Sequence, residues 1–250
     1  MAQPLQSINL VAPGFKGVNT EDSPIAQDPS FADVADNAVI DKRGRIAARK
    51  GINVITTNKT VLGSDYLHRI HQFYDDAGNE DILSTGNSKI MKGTTTLTDI
   101  TPGSYSINAN NWKIVNFNDK AYFFQRGFDP LVYDNANGLR TFTVVNGGAT
   151  NATFKCNEVL AAFGRLFIVD NATDSQTIYW SDLLVGNDFS GGSSGNIDVN
   201  KVWPDGYDEV VALAAHNNNL VVFGEHSIIV YEGATSPASM TLADTVSGVG

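Results

Sequence analysis

The stretch VVALAAHNNNLVVFGEHSIIVY, residues 210–231, consists of three short apolar segments separated by polar turns. Val210 to His216 is followed by the turn Asn217 to Asn219, and then by Leu220 to Phe223 and Ser227 to Tyr231. Short runs rich in β-branched residues between Asn, Gly and Ser are typical of antiparallel strands. The stretch therefore predicts one strand, a tight turn and a hairpin of two further strands.

The same order of strand, turn and hairpin occurs three more times upstream of this stretch. With Ile82, Tyr122, Phe167 and Val221 taken as equivalent positions, successive copies lie 40, 45 and 54 residues apart. A further strand-like segment follows the hairpin in each of these three copies. The predicted strands are Leu67–Tyr74, Asp81–Thr85 and Lys89–Met91; Trp112–Phe117, Ala121–Gln125 and Leu131–Tyr133; and Glu158–Phe163, Leu166–Val169 and Thr177–Ser181, and the further segments are Ser104–Ile107, Thr141–Val145 and Asn196–Val199.

A repeat of about 40 to 50 residues with four short strands is the pattern of a β-propeller blade. One small sheet cannot cover both of its apolar faces, whereas sheets stacked around an axis cover each other. A β-sandwich with similar hairpins is the rival interpretation, and we prefer the propeller because the order repeats four times. Residues 244–250 predict only a strand start or a loop, so we expect an incomplete propeller. The predicted organisation is all-β, with an extended N-terminal arm over 1–62 and about four propeller-like blades over 63–250.

The N-terminal arm differs from the blades because prolines and glycines interrupt it at short intervals. Prolines and glycines interrupt the segment Gln3 to Thr20, which predicts extended backbone, and Asp28 to Ala35 predicts one short capped helix. Ala38–Asp41 and Arg45–Ala48 predict a hairpin around a Lys-Arg-Gly turn. Because the arm has few large apolar residues, we expect it to dock on a larger surface and not to form its own core.

Charge and cysteine content limit the functions available to the chain. Seventeen Lys and Arg residues against 27 Asp and Glu give a net charge of −10, so we expect no broad basic face for reading duplex DNA. The first 59 residues carry a net charge of +1, and residues 60–250 carry −11. The one cysteine, Cys156, excludes an intrachain disulfide and a thiolate zinc cluster, and its position predicts a buried thiol. No apolar run is long enough to predict a membrane span.

Motifs that resemble catalytic or metal sites have simpler structural interpretations in this sequence. Gly191–Gly195 matches G-x-S-x-G, but it lacks the preceding apolar strand and following helix of a nucleophile elbow, so we expect a loop. His68 and His71 are three residues apart on a predicted strand, where their side chains point to opposite faces. We therefore predict a non-enzymatic protein, with no catalytic residues, no metal and no cofactor.

Two other functions stay open for a propeller of this kind. A carbohydrate-binding or carbohydrate-active propeller is one alternative, with Trp112, Trp180 and Trp203 as candidate stacking platforms. Tryptophans, however, more often pack inside blades. A propeller that binds a host protein is the other alternative, and it predicts a monomer with a single partner.

The strongest local feature is a cluster of cations in the N-terminal arm. Five of the seventeen Lys and Arg residues lie within nine positions. One interpretation is a solvated hairpin turn. The other is a contact with an acidic partner surface or with phosphates. The residues concerned are Lys42, Arg43, Arg45, Arg49 and Lys50.

The motifs of this arm occur together in one known family. They comprise a G-x-N stretch that leads to a proline, an Asn-Ala strand, and a hairpin of the form G-x-(I/L)-x-x-R-x-G. In these motifs the first fifty or so residues resemble the N-terminus of bacteriophage tail nozzle proteins, also called tail tubular protein B. Over the blades the resemblance is one of pattern. The segments that carry it are Phe15–Thr20 with Ser23-Pro24, Ala35–Val39, Arg43–Ile46, Arg49–Gly51, Tyr179–Asp182 and Asp188-Phe189.

This resemblance implies a structural virion protein of the phage tail, made in the host bacterial cytoplasm. Members of the family form a homohexameric ring below an adaptor ring, carry fibres or appendages, and continue the channel through which the genome leaves. The implied partners are further copies of this chain, the adaptor protein, tail fibre or appendage proteins, and double-stranded DNA in passage. Nozzle proteins are usually much longer than this chain.

The charge of the chain agrees with a conduit for DNA. Six copies at −10 sum to −60. Duplex DNA carries about one negative charge per 1.7 Å of its axis, so an acidic wall would repel it and let it slide. We expect this effect if acidic side chains face the channel of the ring.

Overall fold

The computed structural model describes residues 14–23, 25–103, 105, 107–108, 111–142, 144, 154–171 and 174–249, with backbone alone at 171. The chain divides into two units, Met1–Val54 and Ile55–Gly250. The predicted boundary between residues 62 and 63 therefore falls inside the second unit. Two observations account for this: the Thr57 N–H donates to the Thr95 carbonyl at 2.9 Å, and Leu62 is buried in one apolar cluster with Met91.

In the described residues of the second unit, the strands form four antiparallel sheets of four strands, and within each sheet every strand pairs with the next one along the chain. In the described part of the chain we find no helix with the length and hydropathy of a membrane span. The first sheet contains β5 (Arg69–Tyr74), β6 (Glu80–Gly86), β7 (Lys89–Lys92) and β8 (Thr98–Asp99); the second contains β9 (Lys113–Phe117), β10 (Lys120–Phe124), β11 (Leu131–Asp134) and β12 (Gly138–Thr141); the third contains β13 (Cys156–Ala162), β14 (Arg165–Asn171), β15 (Thr177–Trp180) and β16 (Gly195–Asp198); and the fourth contains β17 (Val210–His216), β18 (Asn219–Gly224), β19 (Ser227–Glu232) and β20 (Thr241–Ser247).

The side chains of the central sheets alternate between two apolar layers, because successive residues of a strand point to opposite faces. In β14, Leu166 and Ile168 belong to the layer between the second and third sheets. Phe167 and Val169, the residues between and after them, belong to the layer between the third and fourth sheets. A third layer, which contains Phe123, joins the first and second sheets. Burial against a neighbour on both faces therefore holds the sheets in sequence.

Neighbouring sheets contact each other mainly through their first strands: β5 contacts β9, β9 contacts β13, and β13 contacts β17. β5 and β17, at the two ends of this row, make no comparable contact, so the stack of sheets does not close on itself. The first strands of the four sheets therefore lie on one side of the stack. This placement is typical of propeller blades arranged around an axis. The predicted all-β fold with propeller-like blades in an incomplete propeller is confirmed, and the second unit contains four small sheets where a sandwich has two.

The fourth strand of three sheets differs from the prediction. In the first sheet it is the short β8, at 98–99, whereas the prediction placed it at 104–107; residues 104 and 106 are not described. In the second sheet β12 shares only Thr141 with the predicted segment, which ran from residue 141 to residue 145. Residues 143 and 145 of that segment are not described. In the fourth sheet β20 is a complete strand, so the prediction of an unfinished element was wrong. β8 is short and polar, and in β12 and β20 the few large apolar residues, Leu139, Leu242 and Val246, lie among polar ones. Such strands give only a weak apolar alternation in the sequence.

Between residues 14 and 54, where all residues except 24 are described, the N-terminal unit has two pairs of short strands. β1 (Gly17–Val18) pairs in parallel with β2 (Phe31–Ala32). β3 (Ala38–Ile40) and β4 (Ile46–Ala48) form the predicted hairpin, which is confirmed. Residues 3–13 of the predicted extended segment lie outside the described residues. The predicted helix over 28–35 is wrong, because the Asp28 carboxylate accepts from the Ser30 N–H and hydroxyl, which makes a turn that leads directly into β2.

Asp208 ties the start of the fourth sheet to one of its turns. Its carboxylate accepts hydrogen bonds from the backbone N–H groups of Glu209, Glu225 and His226, with lengths of 2.8, 2.9 and 2.9 Å. Burial acts to raise the pKa of this carboxyl, but the hydrogen bonds outweigh it and hold the pKa below its usual value. The charged form of Asp208 therefore stabilises the fold.

The apolar layers predict the effect of a core truncation. Phe123 is fully buried between the first and second sheets, with its ring edge-to-face on Trp112 at 6.3 Å between centroids. We expect Phe123→Ala to lower the free energy of unfolding by about 3–5 kcal/mol, because a cavity replaces the ring. Tyr74→Ala, at an exposed position of β5, is the control and should change it by less than about 0.5 kcal/mol. Urea titration measures both, and equal losses would contradict the layered core.

The Asp208 contacts predict a pH-dependent effect. Asp208→Asn keeps the side-chain shape, but its amide NH₂ faces a backbone N–H that loses its acceptor, so we expect a loss of about 1.5–3 kcal/mol at pH 7. Because the folded pKa is lowered, the stabilisation is present above the unfolded pKa of about 3.9 and is lost as the pH falls through the folded value. Urea titrations at pH 7, 5 and 3 should show the difference from wild type shrinking at pH 3. A difference that stays constant with pH would contradict the charged hydrogen bonds.

Candidate functional site

The cation cluster lies on the hairpin of β3 and β4, in which residues 38–40 pair with residues 46–48. We call residues 38–50 the basic hairpin. Asp41 closes its turn, because the carboxylate accepts from the backbone N–H groups of Arg43 at 2.8 Å and Arg45 at 3.0 Å. Aspartate at the start of a turn commonly bonds backbone groups in this way. The turn is therefore formed by local hydrogen bonds and not by a packed core.

Gly44, in the turn of the basic hairpin, sits against an extended segment of the same unit. Its φ is +73°, and a Cβ at this position would lie 2.6 Å from the Cα of Gly14. Gly14 also has a positive φ, and the next residue, Phe15, donates its N–H to the Gly44 carbonyl at 2.9 Å. Only glycine combines this backbone conformation with such a close approach. Gly44, the first glycine of the G-x-(I/L)-x-x-R-x-G motif, thus has a packing role in this unit.

The five cations separate into two groups along the basic hairpin. Lys42, Arg43 and Arg45 lie at the turn, whereas Arg49 and Lys50 follow β4 at the open end. Arg49 follows Arg45 by four positions of extended strand, which corresponds to roughly 13 Å. One phosphate is too small to bind both groups at once. This spacing favours contact with an extended acidic surface over contact with a single phosphate.

All five cations are exposed. One of them, Arg45, lies 3.9 Å from a carboxylate, that of Asp41, and the other four make no ion pair with any other described residue. An exposed pair of this kind contributes little to stability. The cations are therefore free to meet a partner, and the sequence placed them correctly on one hairpin.

The unit that carries the basic hairpin has almost no interior. Among its described residues only Ser30 is buried. Ile25, Ile52 and Val54 are 98%, 86% and 83% exposed, and Val39 and Ile46 of the hairpin itself are half exposed. Apolar groups left in water favour association with another surface. The prediction that this segment lacks its own core agrees with these exposures.

The three tryptophans are buried in the second unit. Each ring N–H is satisfied internally: Trp112 donates to the Asn108 carbonyl, Trp180 to the Ser193 carbonyl, and Trp203 to the side-chain oxygen of Gln176. Their exposed fractions are between 1% and 4%. A buried ring cannot stack on a sugar from solvent, so these residues are core residues and not carbohydrate platforms.

Ser193, at the centre of the G-x-S-x-G match, holds a loop together. Its hydroxyl donates to the Asp182 carboxylate at 3.0 Å and accepts from the guanidinium of the buried Arg165 at 2.6 Å. The strand β16 follows directly, where a nucleophile elbow has a helix. The predicted loop is confirmed, and the serine hydroxyl is engaged with a cation and a carboxylate instead of a histidine base.

The contacts of the remaining candidate residues, Cys156, His68 and His71, are also structural. Cys156 is buried at the start of β13, as predicted, and burial raises the pKa of its thiol. The imidazole of His68 is 3.7 Å from the Asp65 carboxylate, whereas that of His71 hydrogen-bonds the Asn116 side chain at 2.7 Å. Within the described residues, no three His, Cys, Asp or Glu side chains are grouped as metal ligands.

One charged pair was missed by the sequence analysis. Lys113 of β9 and Glu158 of β13 lie 3.2 Å apart and join the first strands of the second and third sheets. Burial raises the pKa of the Glu158 carboxyl, although the Lys113 ammonium opposes this shift. The two residues are far apart in the sequence, and no local pattern predicts that neighbouring blades bring them together.

No protein-family model matches this sequence, and no curated protein matches it either. Among solved structures, the extracellular domain of a putative one-component system from B. thetaiotaomicron is similar with a TM-score of 0.47 and 15% identity, over 82% of this chain and 30% of that one. The computationally designed Ika8 protein is similar with a TM-score of 0.38 and 11% identity, over 71% and 62% of the two chains. The AfRom2 CNH domain gives 0.35 and 13%, over 84% and 83%.

This chain spans less than two thirds of the length of the first two of these structures. TM-scores below 0.5 do not define a shared fold. The description of the blades therefore rests on the strand pairing and the apolar layers of the chain itself.

The close approach of Gly44 and Gly14 predicts a local loss of structure on substitution. We expect Gly44→Ala to destabilise the N-terminal unit by about 1–3 kcal/mol, because alanine is strained at positive φ and its methyl group meets Gly14. Amide hydrogen exchange at Phe15 should then accelerate at least tenfold. Gly51→Ala, where a Cβ meets no atom within 4 Å, is the matched control and should exchange like wild type. Unchanged protection in Gly44→Ala would contradict the packing described here.

Proposed function

We propose that this protein is a structural component of a bacteriophage tail, a subunit of a homohexameric nozzle ring that continues the DNA channel below the adaptor. The proposal starts from the resemblance of the first fifty or so residues to tail nozzle proteins. It is supported by the form of the unit in which those motifs lie. That unit presents its charge and its apolar side chains outward, as a docking element does.

The basic hairpin is the observation that carries the proposal. Gly44, the first glycine of the motif, packs against Gly14 of the extended segment. Arg49, the arginine of the motif, is exposed and makes no ion pair with a described residue. A hairpin with little buried apolar surface is held by local hydrogen bonds, and a partner that covers its apolar side chains stabilises it further. In a ring, such an element lies on a neighbouring copy or on the adjacent adaptor ring.

The second unit supports a scaffold role by its construction. Each blade is short, is made of consecutive strands, and is held by apolar layers on its faces. Ser193 and the three tryptophans, which were the residues closest to an enzymatic or sugar-binding interpretation, have structural contacts instead. The three tryptophans named as candidate stacking platforms therefore do not support the carbohydrate alternative.

The electrostatics of the second unit refine the idea of an acidic channel. The first strands of the sheets carry Arg69, Lys113 and Glu158, of which the last two pair with each other. The inner side of the blade stack is therefore not an acidic wall. In a ring that repels DNA, the acidic surface has to come from residues outside these strands, such as those of the segment 205–250, which has six carboxylates and no Lys or Arg.

The mass of the purified chain tests the proposal. We expect native mass spectrometry to give about 161 kDa, which is six times 26.8 kDa, and electron microscopy to show a sixfold ring with an axial opening. The ring should not retain duplex DNA at low salt, because the two are both strongly negative. A stable monomer, or a monomer that binds sugars on a glycan array, would contradict the nozzle function and favour one of the alternatives.

A further inference from the structure

A cavity of about 400 Å³ lies beside the apolar layer between the second and third sheets. One cross-strand row of the second sheet lines it, because Tyr122 pairs with Val132 and Val132 pairs with Arg140. Residues directly opposite each other on neighbouring strands share a face of the sheet. Asn187, in the loop between β15 and β16, lines the cavity from the third sheet. We call this cavity the interblade pocket.

Tyr122 brings an unused hydroxyl to the interblade pocket. The residue is 3% exposed, and its ring lies edge-to-face on Phe142 at 5.1 Å between centroids. The hydroxyl makes no hydrogen bond with a described residue, although a buried phenol normally has a partner. Burial raises the pKa of Tyr122 to about 12, so the hydroxyl stays protonated at neutral pH. The pocket therefore contains a buried donor that lacks an acceptor.

The third sheet leaves space for this hydroxyl by placing a glycine beside it. A Cβ at Gly186 would lie 2.6 Å from the Tyr122 hydroxyl oxygen. The loop that carries Gly186 is also tied to the second sheet, because the Asn118 side-chain amide donates to the Leu184 carbonyl at 3.0 Å. The wall of the pocket is thus held in place by the fold itself, as in most ligand sites.

The charged side chains of the interblade pocket leave one positive charge over. The Arg140 guanidinium donates to the Asp134 carboxylate at 2.6 Å, so these two charges offset each other. Lys120 also lines the pocket, and it precedes Tyr122 by two positions on β10, which puts both side chains on one face. Lys120 is partly buried and makes no ion pair with a described residue. A ligand with a single negative charge complements this arrangement.

The other lining residues indicate the body of the ligand. Val132 and Phe142 are buried and give the pocket an apolar base. Thr141 and Asn187 are exposed, so a hydroxyl and an amide are available at its mouth. Such groups donate to and accept from hydroxyls. A cavity of this size is near the small end of the range for ligand pockets, roughly 300–1,000 Å³.

We propose that the interblade pocket binds a small hydroxylated carboxylate of the size of one sugar acid. The carboxylate accepts from the Lys120 ammonium and the Tyr122 hydroxyl, and the polar groups at the mouth bind the hydroxyls of the ligand. A phosphate ester, which carries nearly two charges at neutral pH, would leave one of them unmatched. The inference goes beyond the proposed function and does not depend on it, because the pocket lies within one chain and is the same in a monomer or a ring.

Titration of the full-length protein with D-glucuronate, followed by amide NMR shifts, tests the pocket. We expect saturable shifts at Tyr122 and Asn187 with a Kd of about 1 mM or lower. Lys120→Gln should weaken binding at least tenfold, because a charged hydrogen bond is lost, and Tyr122→Phe should weaken it about threefold to tenfold. Lys120→Arg keeps the charge and should bind within threefold of wild type.

Matched controls separate the pocket from general effects of charge and folding. Lys201→Gln removes an exposed cation outside the pocket, and Tyr74→Phe removes an exposed hydroxyl from β5. Both should bind like wild type. Urea titration checks that each variant folds, and Tyr122→Phe should be as stable as wild type, because its hydroxyl has no partner to lose. Stable protein with weakened binding is thus the expected result for this variant.

Three ligand comparisons complete the test. D-glucose lacks the carboxylate and should not bind; equal binding of glucose, or stronger binding of inorganic phosphate, overturns the proposed ligand class. Methyl β-D-glucuronide separates two sources of the acid: binding of the glycoside assigns the pocket to units linked in a polysaccharide, and binding of free glucuronate alone assigns it to free acids. Absence of saturable shifts at the pocket, or wild-type affinity in both Lys120→Gln and Tyr122→Phe, overturns the site and leaves the proposed ring untouched.

Discussion

Mutual covering of small sheets is the constraint on which the rest of this structure depends. A four-stranded sheet with alternating apolar residues has two faces that must leave water, and it has no interior of its own. The third sheet illustrates this, because β14 divides its side chains between the layers on its two sides. Stacking solves the problem for every sheet except those at the ends of the row. The ends of the stack are therefore where the chain needs something more.

The two ends of the stack meet this need differently. The first sheet is covered by the segment that precedes it, which is why the second unit begins at Ile55 and not after residue 62. The outer face of the fourth sheet has no described element packed against it. The N-terminal unit, in its described residues, exposes apolar side chains and cations and buries almost nothing. A partner surface that covers the N-terminal unit removes that exposure.

Carboxylates have a second role in this chain, inside the turns. Asp134 and Asp208 each accept backbone N–H groups near a turn or sheet edge. Bonds of this kind favour the charged form of the carboxyl, so part of the acidity of the chain is structural. Net charge alone therefore overstates how many acidic groups are available to face DNA or a partner.

The order of the amino acids was enough to predict the class of the fold, the four repeats, the hairpin of the N-terminal unit and the five cations on it. These features are local: they depend on alternation within a strand, on turn residues, and on neighbours in the chain. The sequence pattern did not predict β8, which is short and polar, or the full length of β20, in which Leu242 and Val246 lie among mostly polar residues at a sheet edge. Three further features emerged in the folded chain alone: Lys113 meets Glu158, the tryptophans are buried, and the described sheets form an open stack. Each of these depends on which sheet lies beside which, and that is set by packing between residues far apart in the chain.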